Sequence, residues 1–515
     1  MSALVPGVHF VKLLLALMDH KDRPLRAAIE FGSRDDDCDF NDAVKLGIEA
    51  GHLAVKPNQI LIRLCKQRPG WKYVQRNHAG IVADDLNSGA MSESTLSIQP
   101  SLMLSVIFAA ALMVGMMLKF WLSARQIRHV LRHRSEVPTA FSATVTLATH
   151  LKAADYTVAK VRFGLIELAL GSATLLIWTL FGGLSALNHA SLGWLGGGMA
   201  QQIALLAGFV FISGLLDLPL SLYQTFVIEE RFGFNKMTFK LWLADLLKTS
   251  LIGAAIGMPI VTLILWMMAA AGSWWWLWAW LAWMGLNLLL LVIYPNWIAP
   301  LFNRFTALDD ATLKTRVTAL MQRCGFSAKG LFVMDGSRRS AHANAYFTGF
   351  GAAKRVVFYD TLLSNLAAGE VEAVLAHELG HFKHKHVIKR IVWMFALSLL
   401  GFALLGWLAT QVWFYSGLGV QPNLNASNDA LALLLFVLTL PVFSFFITPV
   451  FAQISRSHEF EADAYAVAKT SGVDLATALL KLYEDNASTL TPDPIYVKFY
   501  YSHPPASERL ERLVA

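Results

Sequence analysis

The stretch AGEVEAVLAHELGHFKHKH (368–386) runs directly into VIKRIVWMFALSLLGFALLGWLATQVWF (387–414). The first part has helix-forming residues throughout, with Gly380 as its one weak position. On a helix His377 and His381 stand four residues apart, so their imidazoles share a face and can share a metal ion. Glu378 projects beside them, where it can take a proton from a water on that metal. The second part supplies a span at about 388–414, long enough for a helix to cross roughly 30 Å of hydrocarbon. A metallohydrolase motif is thus joined to a membrane segment.

Six further apolar spans lie at about 101–122, 162–186, 201–228, 247–271, 274–294 and 430–454. The composition agrees: 515 residues are 55% hydrophobic and only 15% charged, too little charge to cover a soluble protein of this size. The sequence therefore predicts a mainly α, polytopic membrane protein with seven transmembrane helices. A five-span membrane region covers 91–295, and a metallopeptidase domain with two further spans covers 296–515. Glu167 and Asp217 interrupt spans two and three. Each either faces a cavity or partner, or lies near an interface.

The net charge of +7 reports topology, not a nucleic-acid partner. The loop SARQIRHVLRHR (123–134) carries four arginines and no acid, whereas loops 187–200, 271–274 and 415–429 have no Lys or Arg. Basic residues are retained on the cytoplasmic side, which places 123–161, 229–246, 295–387 and 455–515 there. The first 90 residues differ from the rest. They hold 23 of the 79 charged residues, and the apolar run 13–18 meets DHKD rather than a cleavage site, which argues against a signal peptide. Two readings of this segment stay open: a genuine extension, or a start-site error with the natural start at Met91. Cys38, Cys65 and Cys324 have neither metal nor disulfide spacing.

A zinc hydrolase needs a third protein ligand and an open position for water. SRSHEFEADAYAVA (455–468) offers Glu459 as that ligand. Asp463, again four residues on, can accept a hydrogen bond from a ligand histidine. His458 and Glu461 read as bystanders, and His384 and His386 as juxtamembrane polar residues. At the end of the chain, YYSHPPASERLERL (500–513) carries His503, either an oxyanion donor or part of an ordinary turn. Arg509 follows, to contact substrate or support the site. ANAYFTGFGAAKRVVFYDTLL (343–363) reads as a small β-hairpin, whose edge can pair with an extended peptide.

Together these residues resemble the type I CAAX prenyl endopeptidases, a family of seven-span zinc metalloproteases. The likeness covers about 150–515 and includes YQTFVIEERFGFNKMTF (223–239), PNWIAPLFNRFTAL (295–308) and DGSRRSAHANAYFTGFG (335–351). HELGH, SRSHEFEAD and SHPPASERL alone also suit a shorter, four-span quality-control type. The long membrane region and FVIEERFGFN favour the seven-span family. The resemblance implies one Zn2+ per chain held by His377, His381 and Glu459, with Glu378 as base and His503 as oxyanion stabiliser. It also implies that Asn344, Ala345, Tyr346, Phe347 and Thr348 bind the substrate backbone, and that the seven helices form a barrel around a water-filled chamber.

The expected activity is cleavage near the C-terminus of membrane-associated proteins, prenylated or not. In a CAAX protein it would remove the last three residues. The expected partners are a peptide or protein substrate and the lipid bilayer. The expected location is multi-pass, with catalysis on the cytoplasmic side of a bacterial inner membrane or of the endoplasmic reticulum. Two rivals are a quality-control protease with the same chemistry and a silent scaffold or transporter. The intact Glu378 speaks against silence.

Overall fold

The computed structural model describes residues 99–348 and 353–513; the open question of 1–90 lies outside them. Among the described residues, seven helices are long and apolar enough to cross a membrane. They are Pro100–Arg132, Leu147–Trp178, Met199–Glu229, Phe239–Ala270, Gly272–Phe302, His386–Leu408 and Asp429–Lys469. Large apolar side chains such as Leu102, Val210, Phe211 and Leu251 stand exposed on them, as a lipid-facing surface requires. Their inner sides meet in a core around Phe108, Trp178, Leu205, Leu265, Trp275 and Leu435. Glu167 borders a small cavity between these helices, while Asp217 is exposed.

Two helix ends decide where the chemistry sits. The seventh span does not stop where its apolar residues end. After a 3-10 turn at Phe445–Ile447 the rod continues as Thr448–Lys469, with Pro449 in its first turn, where a missing N–H leaves nothing unpaired. Glu459 and Asp463 therefore ride on a direct extension of a membrane helix. The helix Ala368–Lys383 ends at a break, where Lys385 takes a left-handed φ of 57°. The sixth span, His386–Leu408, starts immediately beyond it.

The expected hairpin is part of a four-stranded sheet. Its strands are β1 Phe305–Ala307, β2 Ser327–Met334, β3 Ala345–Thr348 and β4 Ala353–Tyr359, in the order β1-β2-β4-β3. β3 and β4 pair antiparallel from Ala345↔Phe358 to Thr348↔Arg355, while β2 joins β4 in parallel. β3 is thus an edge strand. Phe347 on it meets Phe382 edge-on, with ring centroids 5.8 Å apart, which seats the edge beside the helix that carries His377. Beneath sheet and helix lies a second core of Val317, Leu320, Val356, Phe358, Leu375 and Leu379.

Candidate active site

The helix Ala368–Lys383 packs along Thr448–Lys469 at very short range, and Gly380 is the reason. A Cβ there would stand 3.0 Å from the Ala462 Cα and 3.1 Å from its carbonyl oxygen. The weak helix former is what lets the two backbones approach. That approach brings His377, His381 and Glu459 together, with one ligand atom from each inside a 4.8 Å circle. The two Nε2 atoms are 3.2 Å apart, and each lies 3.4 Å from a Glu459 oxygen. Glu459 is buried, and its Oε2 has no hydrogen-bond partner. Two imidazole nitrogens and an unsatisfied buried carboxylate oxygen form a donor set that fits a divalent transition metal.

The surrounding side chains fix this set. Asp463 accepts from His377 Nδ1 at 2.8 Å, which leaves Nε2 as the lone-pair nitrogen. Arg509 in turn forks onto Asp463 with bonds of 2.8 and 2.6 Å. Of the two roles open to Arg509, contact with substrate or support of the site, its burial and its bonds to Asp463 favour support. Burial opposes charge on His377, but its hydrogen bond to Asp463 and the nearby Glu459 carboxylate outweigh it and push the imidazole up to about 9. Burial, then the neighbouring His377, lowers His381 to about 4. Burial also raises the Glu378 carboxyl above the usual range, against the pull of His377, which suits a group that must take up a proton.

His503 reaches the same place from the C-terminal segment. Its Nε2 lies 3.4 Å from Glu459 Oε1, and its Nδ1 lies 3.0 Å from the Ser502 hydroxyl. Pro504 and Pro505 are buried behind it, and Tyr483 donates to the Pro504 carbonyl at 3.3 Å. Although the side chain is 64% open to a cavity, enclosure by the walls lowers the imidazole below its ordinary range despite Glu459. Asn344 is exposed, and Ala345, Tyr346 and Phe347 are half-buried along β3. Thr348 closes the strand.

His386, read as a juxtamembrane polar residue, and Glu461, read as a bystander, adjoin His381. Buried His386 places Nδ1 3.0 Å from His381 Nδ1 and Nε2 3.0 Å from Glu461 Oε2. It also stacks on His458 with centroids 4.0 Å apart. On an unbroken helix, five residues from His381 would turn His386 about 140° away. The left-handed Lys385 returns it, and no local residue pattern announces that turn. His342 is a further unforeseen neighbour. It lines the cavity of about 870 Å3 that His503 borders, hydrogen-bonded to Asn486 at 3.0 Å.

Comparison with known proteins gives the context. A family model described as "CAAX prenyl protease N-terminal, five membrane helices" matches residues 126–304, and one for peptidase family M48 matches 307–515. The chain is 39% identical to the CAAX prenyl protease 1 homolog of Arabidopsis thaliana, over 61% of this chain and 73% of the relative. It is 31% identical to the human CAAX prenyl protease 1 homolog, over 79% of this chain and 95% of the relative. The crystal structure of S. mikatae Ste24p superposes with a TM-score of 0.74 at 32% identity, covering 80% of this chain and 99% of that one.

Proposed function

Since the chain belongs to the CAAX prenyl protease family and is a multi-pass membrane zinc metalloprotease, we propose that it removes the last three residues of prenylated CAAX proteins, with its site on the cytoplasmic face. One Zn2+ per chain would be held by His377, His381 and Glu459. The observation that carries this reading is the convergence of two Nε2 atoms and an unpaired buried carboxylate oxygen on one point, beside Glu378 and next to a cavity bordered by His503. Bound there, the cation supplies Lewis-acid polarisation of the scissile carbonyl and lowers the pKa of water.

The chain's own residues do the rest. The free edge of β3 pairs with an extended substrate through main-chain groups, so side chains of many kinds are tolerated. Glu378 takes the proton of the attacking water and returns it to the leaving amide nitrogen. The Ser502 hydroxyl, 3.0 Å from His503 Nδ1, orients the ring, and a proton on Nε2 donates to the carbonyl oxygen as negative charge develops. Asp463 and Arg509 hold His377, while His386 and Glu461 hold His381. The arginine-rich loop 123–134 and the bare loops 187–200 and 415–429 support the cytoplasmic placement.

The test is a comparison of farnesylated and unmodified peptides of one sequence with the purified protein. Release of the C-terminal tripeptide, with the farnesylated peptide preferred, is expected. Equal cleavage of both, or cuts scattered along unmodified membrane proteins, would remove prenyl dependence and leave a general membrane protease.

A further inference from the structure

The cavity of about 870 Å3 beside His503 has no carboxylate in its lining, whereas Lys119, Lys160, His342 and five tyrosines border it. Its two lysines differ. The Lys160 ammonium stands 5.0 Å above the Tyr156 ring, and the Tyr156 hydroxyl donates to Glu229 at 2.8 Å, so an acid is one side chain away. Lys119 has no salt-bridge partner among the described residues. Its ammonium lies 4.5 Å over the Phe445 ring, half-buried on the first membrane helix. It also borders the smaller cavity that contains Glu167, but the two form no ion pair. A half-buried ammonium with no carboxylate at ion-pair distance is costly to leave unpaired, and an anion entering the cavity would relieve that cost.

The position of Lys119 says which anion. It shares one cavity wall system with His503, the residue that reaches the metal-binding set. The cavity therefore offers room for the C-terminal residues of a peptide whose scissile bond lies at that set. Three extended residues span about 10 Å, and the volume lies in the usual range of about 300–1,000 Å3 for ligand pockets. The tyrosine rings suit apolar side chains along the way. Resting on the cleavage reading above, we propose that Lys119 receives the free α-carboxylate of the peptide substrate and so makes cleavage depend on distance from a true C-terminus.

The experiment uses the full chain in nanodiscs of phosphatidylcholine alone, with matched farnesylated peptides that end in a carboxylate or a carboxamide. Wild type, Lys119→Gln, Lys119→Arg and Lys160→Gln are compared, with metal content and melting temperature measured on each preparation. Amidation is expected to lower wild-type kcat/KM about 10- to 100-fold, the scale of one charge-assisted hydrogen bond. Lys119→Gln should cleave the acid peptide about as slowly as wild type cleaves the amide, and be indifferent to amidation. Lys119→Arg and Lys160→Gln should keep the wild-type ratio.

Equal wild-type rates on acid and amide peptides overturn the proposal without any variant. So does a wild-type acid-to-amide ratio in Lys119→Gln, or a collapsed ratio in Lys160→Gln. A Lys119→Gln defect that arises only when anionic lipid is added assigns the lysine to a headgroup and overturns it too. Failure of the wild type to cleave either peptide removes the cleavage reading itself, an outcome distinct from cleavage that ignores the terminus.

Discussion

Replacing Gly380 by Ala sets two known effects against each other. Alanine favours a helix interior over glycine by about 1 kcal/mol. The added methyl, however, would stand 3.0 Å from the Ala462 Cα, 3.1 Å from its oxygen and 3.2 Å from the Tyr465 Cβ. Ala462 is fully buried, and two of these contacts are backbone atoms that cannot rotate aside. Overpacking of this kind costs about 1–3 kcal/mol, so the net change runs from nearly zero to a loss of about 2 kcal/mol. The larger consequence is geometric. His377 and His381 lie on one side of the contact and Glu459 on the other, three residues before Ala462. Parting the helices by a few tenths of an ångström exceeds the roughly 0.2 Å tolerance of a metal site. Zinc affinity should fall about tenfold or more, measured by competition with a fluorescent chelator, while the metal-free melting temperature moves little or falls. An unchanged zinc Kd with a raised metal-free melting point would refute the reasoning, because Gly380 would then be only a weak helix residue.

Three further outcomes follow from the same geometry. His377 is lifted to about 9, and a ligand imidazole must be neutral, so zinc must displace a proton below that pH. Affinity should rise about tenfold per pH unit through neutrality and level off near 9; a flat profile from pH 6 to 8 would show that His377 carries no such proton. Arg509→Lys keeps the charge but loses the fork on Asp463, so zinc affinity should drop about 10- to 100-fold; a raised KM with intact zinc binding would return Arg509 to the substrate. In intact cells an impermeant thiol reagent should label a cysteine at Ser427 and miss one at Ser507 until the membrane is opened, and the opposite pattern would invert the proposed orientation.

What the sequence discloses and what it hides divide along a physical line. The helix repeat makes His377 with His381, and Glu459 with Asp463, visible as face-sharing pairs, because that spacing is local. Seven apolar stretches are visible for the same reason. The Arg509 fork on Asp463 is not, since 46 residues separate the partners and burial, not residue type, decides that Arg509 turns inward. His386 is hidden by the left-handed Lys385, which undoes the phase that a continuous helix would impose. β1 has only three residues, and β2 pairs directly with β4 in parallel although β3 lies between them in the chain; neither carries a hairpin signal. Gly380 is conspicuous as a poor helix former, but its purpose depends on Ala462, 82 residues away.

The central claim is that Glu378 acts as the base beside a site held by three other residues. Its most direct test is Glu378→Gln, with zinc content and peptide cleavage measured on one purified preparation. The variant should hold one zinc per chain, since His377, His381 and Glu459 are untouched, and should lose peptide cleavage to the background of the assay. Wild-type turnover in a zinc-replete Glu378→Gln protein would contradict the account.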